Sequence, residues 1–406
     1  MVNGYESFAF HVTAKPIGPI CNLDCQYCFY LEKENLYPDT KNFRMSDEVL
    51  ESYIRQRFAN QNVSEVNFAW QGGEPTLLGL DFFRRVVELQ KKYCVSSRRV
   101  SNAFQTNGIL LDADWCQFFR ENKFLVGLSI DGPRDLHDCY RVDHSGRPTF
   151  DRSMQALELL KRHGVEFNTL TVVNRENSRR PLEVYNFLKN HGCVFMQFIP
   201  LVECVASESV SAPPDSAISP ATVTFGSVQS ETWGEFLCSI FDEWVRHDVS
   251  QIYVQLFEVQ LGLWLGLRSS LCVFSETCGQ SLILEHNGDL YACDHYVYPK
   301  FLRGNILRQS MSAMAASAEQ IRFGADKRDA LPRQCLRCDM RFACNGACPK
   351  HRFMKTADGE DGLNYLCSGY KRFFKHIAPY MQQMVELLKA RRSPALIMSR
   401  LARHER

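Results

Sequence analysis

The chain has 406 residues, 45% of them hydrophobic and 23% charged, the make-up of a soluble globular protein with room for one large domain and a smaller one. A formal net charge of +1 excludes a nucleic-acid binder working through a broad basic field. No apolar run approaches the roughly 20 residues needed to cross a bilayer, and residues 1–10, with Glu6, lack the basic start and apolar stretch of a secretory signal. A cytoplasmic chain is expected, with neither nucleic acid nor membrane as partner.

From residue 9 to 200 short β-rich runs alternate with amphipathic helical stretches. Strands are predicted at 9–14, 66–70, 100–105, 125–130, 167–173 and 194–199. Helices are predicted at 45–60, with Ser46 as N-cap, and at 81–93, 112–122, 150–163 and 181–191, the last opening on Pro181. This alternation implies an α/β fold with a parallel sheet and six βα units, two short of a closed eight-unit barrel. Polar motifs follow the first four strands: a cysteine loop, Gln71-Gly72-Gly73-Glu74-Pro75, Thr106-Asn107-Gly108 and Asp131-Gly132-Pro133. Loops at the carboxyl ends of barrel strands build the active site.

Residues 203–231 shift to Ser, Ala, Pro, Thr and Val and read as a surface excursion. Helical patterning resumes at 233–247 and 254–267. A cysteine-dense region runs from Cys272 to Cys367, and a basic helical tail at 380–406 closes the chain. The domains expected are 1–235, a helical connection at 236–271, a cysteine-rich domain at 272–378 and the tail at 379–406.

Seventeen cysteines in a reducing compartment point to metal or cluster ligation rather than disulfides. Six of them (Cys94, Cys116, Cys139, Cys193, Cys204 and Cys238) are scattered and read as buried apolar thiols. Cys21, Cys25 and Cys28 form a C-x3-C-x2-C loop with Tyr27 and Phe29 beside the last cysteine. Three thiolates leave one iron of a [4Fe–4S] cube open, whereas structural clusters use four cysteines. The loop resembles that of the radical S-adenosylmethionine (SAM) superfamily, in which the open iron is chelated by SAM. The resemblance implies a partial (β/α)6 barrel, open on one side to a bulky substrate.

The later cysteines run Cys272-x5-Cys278, then Cys293 after a Gly288-Asp289 turn, then Cys335-x2-Cys338-x5-Cys344-x3-Cys348, then Cys367. Eight cysteines suffice for two four-cysteine clusters or for structural zinc. By spacing alone Cys335, Cys338, Cys344 and Cys348 group together. The order resembles the SPASM domain of peptide-modifying radical SAM enzymes. With Gln71–Pro75, Leu128-Ser129-Ile130-Asp131-Gly132-Pro133 and Tyr291-Ala292-Cys293-Asp294-His295-Tyr296, the chain is similar to the anaerobic sulfatase-maturating enzymes.

That resemblance implies three [4Fe–4S] clusters. Cys21, Cys25 and Cys28 would hold the SAM-binding one, Cys272, Cys278, Cys293 and Cys348 the first auxiliary cluster, and Cys335, Cys338, Cys344 and Cys367 the second. It also implies the chemistry. A 5′-deoxyadenosyl radical takes a Cβ hydrogen from a cysteine or serine of a sulfatase, in a Cys/Ser-x-Pro-x-Arg motif. Asp294 removes the side-chain proton, the auxiliary clusters take the second electron, and Cα-formylglycine results. Asp294 as a turn residue bonding backbone amides is the plainer alternative. Gly72, Gly73 and Glu74 suit the SAM ammonium, and Tyr27, Gln71 and Ser129 lie near SAM in the family. Asp131 either joins them or only braces the turn at Gly132. Related sequences place arginine where this chain has Gln155, so either Arg152 substitutes or SAM binding is weaker.

An electron donor such as flavodoxin or ferredoxin and a monomeric state are expected. The rival readings are a SPASM enzyme that makes thioether or carbon–carbon crosslinks in a precursor peptide, and a non-catalytic cluster or zinc protein. The first often carries an N-terminal recognition domain, for which residues 1–20 leave no room. The second has no need of an open coordination position.

Overall fold

The computed structural model describes residues 10–59, 63–95, 98–204 and 223–404. Most of the expected surface excursion, residues 205–222, lies outside the described residues. In chain order come β1 (His11–Lys15), α1 (Asp47–Ala59), β2 (Glu65–Trp70), α2 (Leu80–Tyr93), β3 (Arg99–Thr106), α3 (Ala113–Glu121), β4 (Phe124–Ser129), α4 (Arg134–Asp138), α5 (Phe150–His163), β5 (Phe167–Val173), α6 (Pro181–Asn190) and β6 (Phe195–Pro200). There follow α7 (Ser230–His247), β7 (Tyr253–Val254), α8 (Gln255–Trp264), β8 (Ser281–Glu285), β9 (Asp289–Tyr291), β10 (Leu302–Asn305), α9 (Met311–Ala315) and α10 (Ala318–Asp329). The short α11 (Arg333–Leu336), α12 (Arg341–Cys344), β11 (Met354–Lys355) and β12 (Asp361–Leu363) lead to α13 (Cys367–Lys389) and α14 (Leu396–His404).

Local signals explain most boundaries. The Ser46 hydroxyl accepts from the Val49 amide at 3.3 Å, and the Asp112 carboxylate caps α3 through the Trp115 amide at 2.9 Å. Pro181 opens α6, and Gly164, in the left-handed region, ends α5.

The chain divides into two compact units. The first comprises Met1–Ser129, Tyr140–Phe167 and Cys278–Asp326. Its strands run β10-β9-β8-β1-β2-β3-β4, parallel from β8 to β4, with β9 and β10 antiparallel at the edge. Apolar strand residues meet a helical layer through tilted and edge-on ring contacts among Phe83, Phe104, Trp115, Phe119 and Phe124, all buried. The second unit comprises Ile130–Cys139, Asn168–Thr277 and Lys327–Arg406. There β5, β6 and β7 are parallel neighbours, and β10 and β7 each pair on one side only, so the sheet stays open.

In the second unit α13 packs along α7. This helix departs from the expected tail: it starts at Cys367 and runs through Pro379 without ending. A proline inside a helix loses a backbone hydrogen bond. Here Phe373, Phe374 and Ile377 before it, and Met381 and Met384 after it, are all fully buried, and their burial carries the helix across. Among the described residues no helix is long and apolar enough to cross a membrane.

Candidate active site

In the first unit the loop after β1 carries Cys21, Cys25 and Cys28, all half-buried. Its backbone is tied to the segment before α5 by the Asp24 amide on Val142 O (2.9 Å) and the Gln26 amide on Tyr140 O (3.0 Å). Burial pushes the Cys21 thiol up to about 12, with Glu74, Cys25 and Cys28 adding to the rise and the Leu23 amide opposing it. The Asn107 side-chain amide donates to Cys21 Sγ at 3.8 Å and to Asn22 Oδ1 at 2.7 Å. Three converging thiols that repel one another once ionised, with N–H donors aimed at sulfur, fit a cationic iron–sulfur core.

The Gln71–Pro75 loop lies against this segment. The Gly73 and Glu74 amides donate to Gly18 O (2.7 Å) and Ile20 O (2.9 Å). A Cβ on Gly73 would stand 1.8 Å from Ile20 O, so only glycine permits the approach. Glu74 is buried and accepts from the Thr76 amide (3.1 Å) and hydroxyl (2.7 Å), the Thr106 hydroxyl (2.8 Å) and the Asn107 amide (2.8 Å). Burial raises its proton affinity, and these bonds work against that rise. Its carboxylate is therefore engaged in bracing the loops after β2 and β3 onto the cysteine loop. Gln71, Gly72 and Gly73 remain half-buried, and Ser129 closes β4 as a buried hydroxyl. In the second unit Asp131 is fully buried and accepts from the Val172 amide of β5 at 3.0 Å.

The turn after β9 places Asp294 beside Lys15, the last residue of β1. Their charged atoms are 2.6 Å apart, with Lys15 1% exposed and Asp294 27%. The Lys15 ammonium also sits 3.5 Å from the centre of the Tyr30 ring. The Tyr30 hydroxyl donates to the fully buried Glu285 carboxylate. Burial first, then Glu285, holds that phenol well above its ordinary value, so it stays a donor. Sequence reasoning found Asp294 but missed Lys15, Tyr30 and Glu285. The one available signal was a lysine directly after the predicted strand at 9–14.

The second unit separates the late cysteines into two sets. Burial pushes Cys344 up to about 12, with Cys367, Cys335 and Cys338 adding to the rise, and Cys367 to about 11, with Cys335 and Cys338 adding to it. Cys348 instead faces Cys272. This pairing is not the one the spacing suggests, because Asn345, Gly346 and Ala347 are all left-handed, with φ of 46°, 69° and 51°, and turn the chain between Cys344 and Cys348. Such a run is costly in non-glycine residues and persists where the surroundings hold it. Arg352 holds it by donating to Asn345 O (2.8 Å), Gly346 O (2.8 Å) and Ala347 O (3.2 Å), and Asn364 by donating to Cys348 O (3.2 Å). In the first unit Gln320 ties the loops of Cys278 and Cys293 together, donating to Gly279 O (2.8 Å) and Ala292 O (3.1 Å).

Arg152 and Gln155 are both exposed. The arginine that reaches the cysteine loop is the buried Arg141, whose guanidinium donates to the Tyr27 hydroxyl at 2.6 Å. Of the six scattered cysteines only Cys116, Cys193 and Cys238 are buried; Cys94 and Cys204 are half-buried and Cys139 is exposed.

Family comparisons agree with this geometry. A model of the Radical SAM superfamily matches residues 16–188, and one of the SPASM iron–sulfur cluster-binding domain matches residues 272–339. The open parallel sheet is a partial radical SAM barrel, and the protein is a radical SAM enzyme with a SPASM domain. A serine-type anaerobic sulfatase-maturating enzyme of Bacteroides thetaiotaomicron is 46% identical, covering 98% of this chain and 97% of that protein. A cysteine-type enzyme of Clostridium perfringens is 34% identical, covering 92% and 98%. The solved structure of native anSMEcpe with bound AdoMet superposes with a TM-score of 0.81 at 33% identity, covering 93% of this chain and 99% of that one. The chain belongs to the family of anaerobic sulfatase-maturating enzymes and is a radical SAM oxidoreductase.

Proposed function

We propose that the protein oxidises an active-site serine or cysteine of a sulfatase polypeptide to Cα-formylglycine, with serine as the natural target. The observation that carries this reading is the 46% identity to a serine-type enzyme over 98% of the chain, against 34% for the cysteine-type relative. A precursor-peptide enzyme has no comparable support: SuiB of Streptococcus suis, solved bound to precursor peptide SuiA, is 13% identical and shares the fold alone.

The domain divisions at 235, 271 and 378 and the cluster ligands assigned by family resemblance are part of the proposal. Cys21, Cys25 and Cys28 hold the first cluster, Cys272, Cys278, Cys293 and Cys348 the second, and Cys335, Cys338, Cys344 and Cys367 the third. When bound, SAM and these clusters supply a 5′-deoxyadenosyl radical for Cβ hydrogen abstraction and an acceptor for the remaining electron. Tyr27, Gln71, Gly72, Gly73 and Ser129 orient SAM, while Glu74 and Asp131 act through the loops they brace. Asp294 receives the substrate's hydroxyl or thiol proton, with Lys15 as its fixed counter-charge. A carboxylate serves as base only when ionised and within hydrogen-bond reach. The substrate carries a Ser/Cys-x-Pro-x-Arg motif, and a donor such as flavodoxin or ferredoxin supplies electrons to the monomeric enzyme.

The test is to incubate reduced enzyme and SAM with serine and cysteine versions of one such peptide and follow the masses. A serine peptide should lose two hydrogens. A cysteine peptide should also exchange sulfur for oxygen. Intact peptides alongside full SAM cleavage would reject the reading.

A further inference from the structure

The parallel strands β1–β4 have one face under helices; on the other, Asn67, Ala103 and Leu125 are exposed. Phe68 and Phe104 point to the covered side, against Tyr53 of α1 and Phe83 of α2. Side chains alternate between faces along a strand, so the open side is built in three levels. The level at the strand ends holds Lys15, which meets Asp294, and Gln105, whose neighbour on β4 is Gly127. The middle level holds Thr13, Ala69, Ala103 and Leu125, in register across the four strands. The lowest holds Asn67 and Ser101, with the serine hydroxyl donating to the Asn67 side-chain oxygen. A cavity of about 210 Å³ lies against the lower two levels. It is there because Ala69 and Ala103 end at Cβ, and Leu125, 39% exposed, forms an apolar wall. All these residues belong to the first unit.

We propose that this cavity is the subsite for the proline of the substrate's Ser/Cys-x-Pro-x-Arg segment, with Ala103 and Leu125 setting its size; this rests on the function proposed above. Proline holds the residue before it in extended backbone, and an extended chain advances about 3.3 Å per residue, as a strand does. With the reacting serine or cysteine at Asp294, the proline two residues on lies about 7 Å further, the spacing of two levels on the sheet face. A segment laid along the strands toward their amino ends thus brings its proline to the alanine level. Residues two apart in an extended chain also point the same way. The ring is apolar and proline has no N–H that needs a partner, which suits a cavity walled by Ala69, Ala103 and Leu125. Removing that ring from water favours the segment over one with a smaller residue there. The subsite is continuous with the candidate base, because Thr13 and Lys15 are two residues apart on β1 and Lys15 meets Asp294.

The test measures formylglycine formation by the full reconstituted chain on three peptides that differ only at the proline position. One carries proline, one alanine, and one pipecolic acid, whose ring is one methylene larger. Ala103→Leu fills the cavity and Leu125→Ala widens it; both positions are exposed, so the buried core is untouched. Iron content and the spectral response to SAM are read alongside. The parent should prefer proline to alanine. In Ala103→Leu the KM for the proline peptide should rise by about 10–200-fold, the discrimination an apolar pocket gives per methylene, and the preference for proline should vanish. Leu125→Ala should shift the preference toward pipecolic acid, and it decides alone if Ala103→Leu loses iron. A parent indifferent to proline, or variants that keep the parent's order of preference, overturn the inference and leave the proposed function standing. A parent that converts none of the peptides overturns the proposed function, and the inference with it.

Discussion

Lys15 ends a buried strand, where an ammonium this enclosed requires a partner, and the Asp294 carboxylate meets it at 2.6 Å. The pairing gives Asp294 one orientation while leaving it partly open, as a base must be. Asp294→Asn keeps the shape of the side chain and an oxygen for Lys15, and removes the capacity to take a proton. Formylglycine formation should fall by about 10²–10⁴-fold, the usual contribution of a positioned general base. Release of 5′-deoxyadenosine should persist, because it precedes proton removal. Both products can be read from one anaerobic reaction by liquid chromatography. Undiminished formylglycine would remove Asp294 from the base role.

Among the elements, the N-terminus of α13 is where the fold sets a proposed ligand most directly. Cys367 opens this helix, and Gly369, in its first turn, lies against Gly234 of α7. A Cβ on Gly369 would fall 2.0 Å from Ser230 O, whose own hydroxyl accepts from the Gly369 amide at 3.0 Å. Gly369→Ala should destabilise the protein by about 1–3 kcal/mol through overpacking. It should also move Cys367 away from Cys335, Cys338 and Cys344. Thermal unfolding would report the first effect and a lowered iron content the second; an unchanged melting temperature would show that α7 yields at no cost. This contact was invisible in the sequence, since a glycine near a helix start reads only as a weak helix former. The six parallel strands and their helices were legible because period-2 and 3.6-residue patterns, with Ser46 and Pro181 as boundary signals, all agreed. The start of α13 was not, because Pro379 marks a boundary that burial on both sides overrides. Asp294 was legible through its neighbour Cys293. Arg141 was not, because a buried cation is defined by what encloses it, and only tertiary contacts reveal that.

At the scale of the whole molecule, eleven patterned cysteines must divide as three, four and four if every cluster has four irons and one keeps an open corner. None of the seventeen cysteines forms a disulfide, so all eleven are free to act as ligands. Within the second unit Cys335, Cys338 and Cys367 act on the Cys344 thiol and Cys272 acts on Cys348, in keeping with the two auxiliary ligand sets proposed above. Anaerobically reconstituted protein should therefore be brown and hold about twelve iron and twelve sulfide per chain, three cubes of four each. Replacing Cys21, Cys25 and Cys28 together should lower both figures to about eight and abolish any spectral response to SAM. Replacing Cys367 should remove about four while the SAM response remains. Iron and sulfide assays with EPR distinguish these outcomes. Colourless protein with stoichiometric zinc would reject the cluster assignment, because zinc accepts the same thiolates but takes no electron.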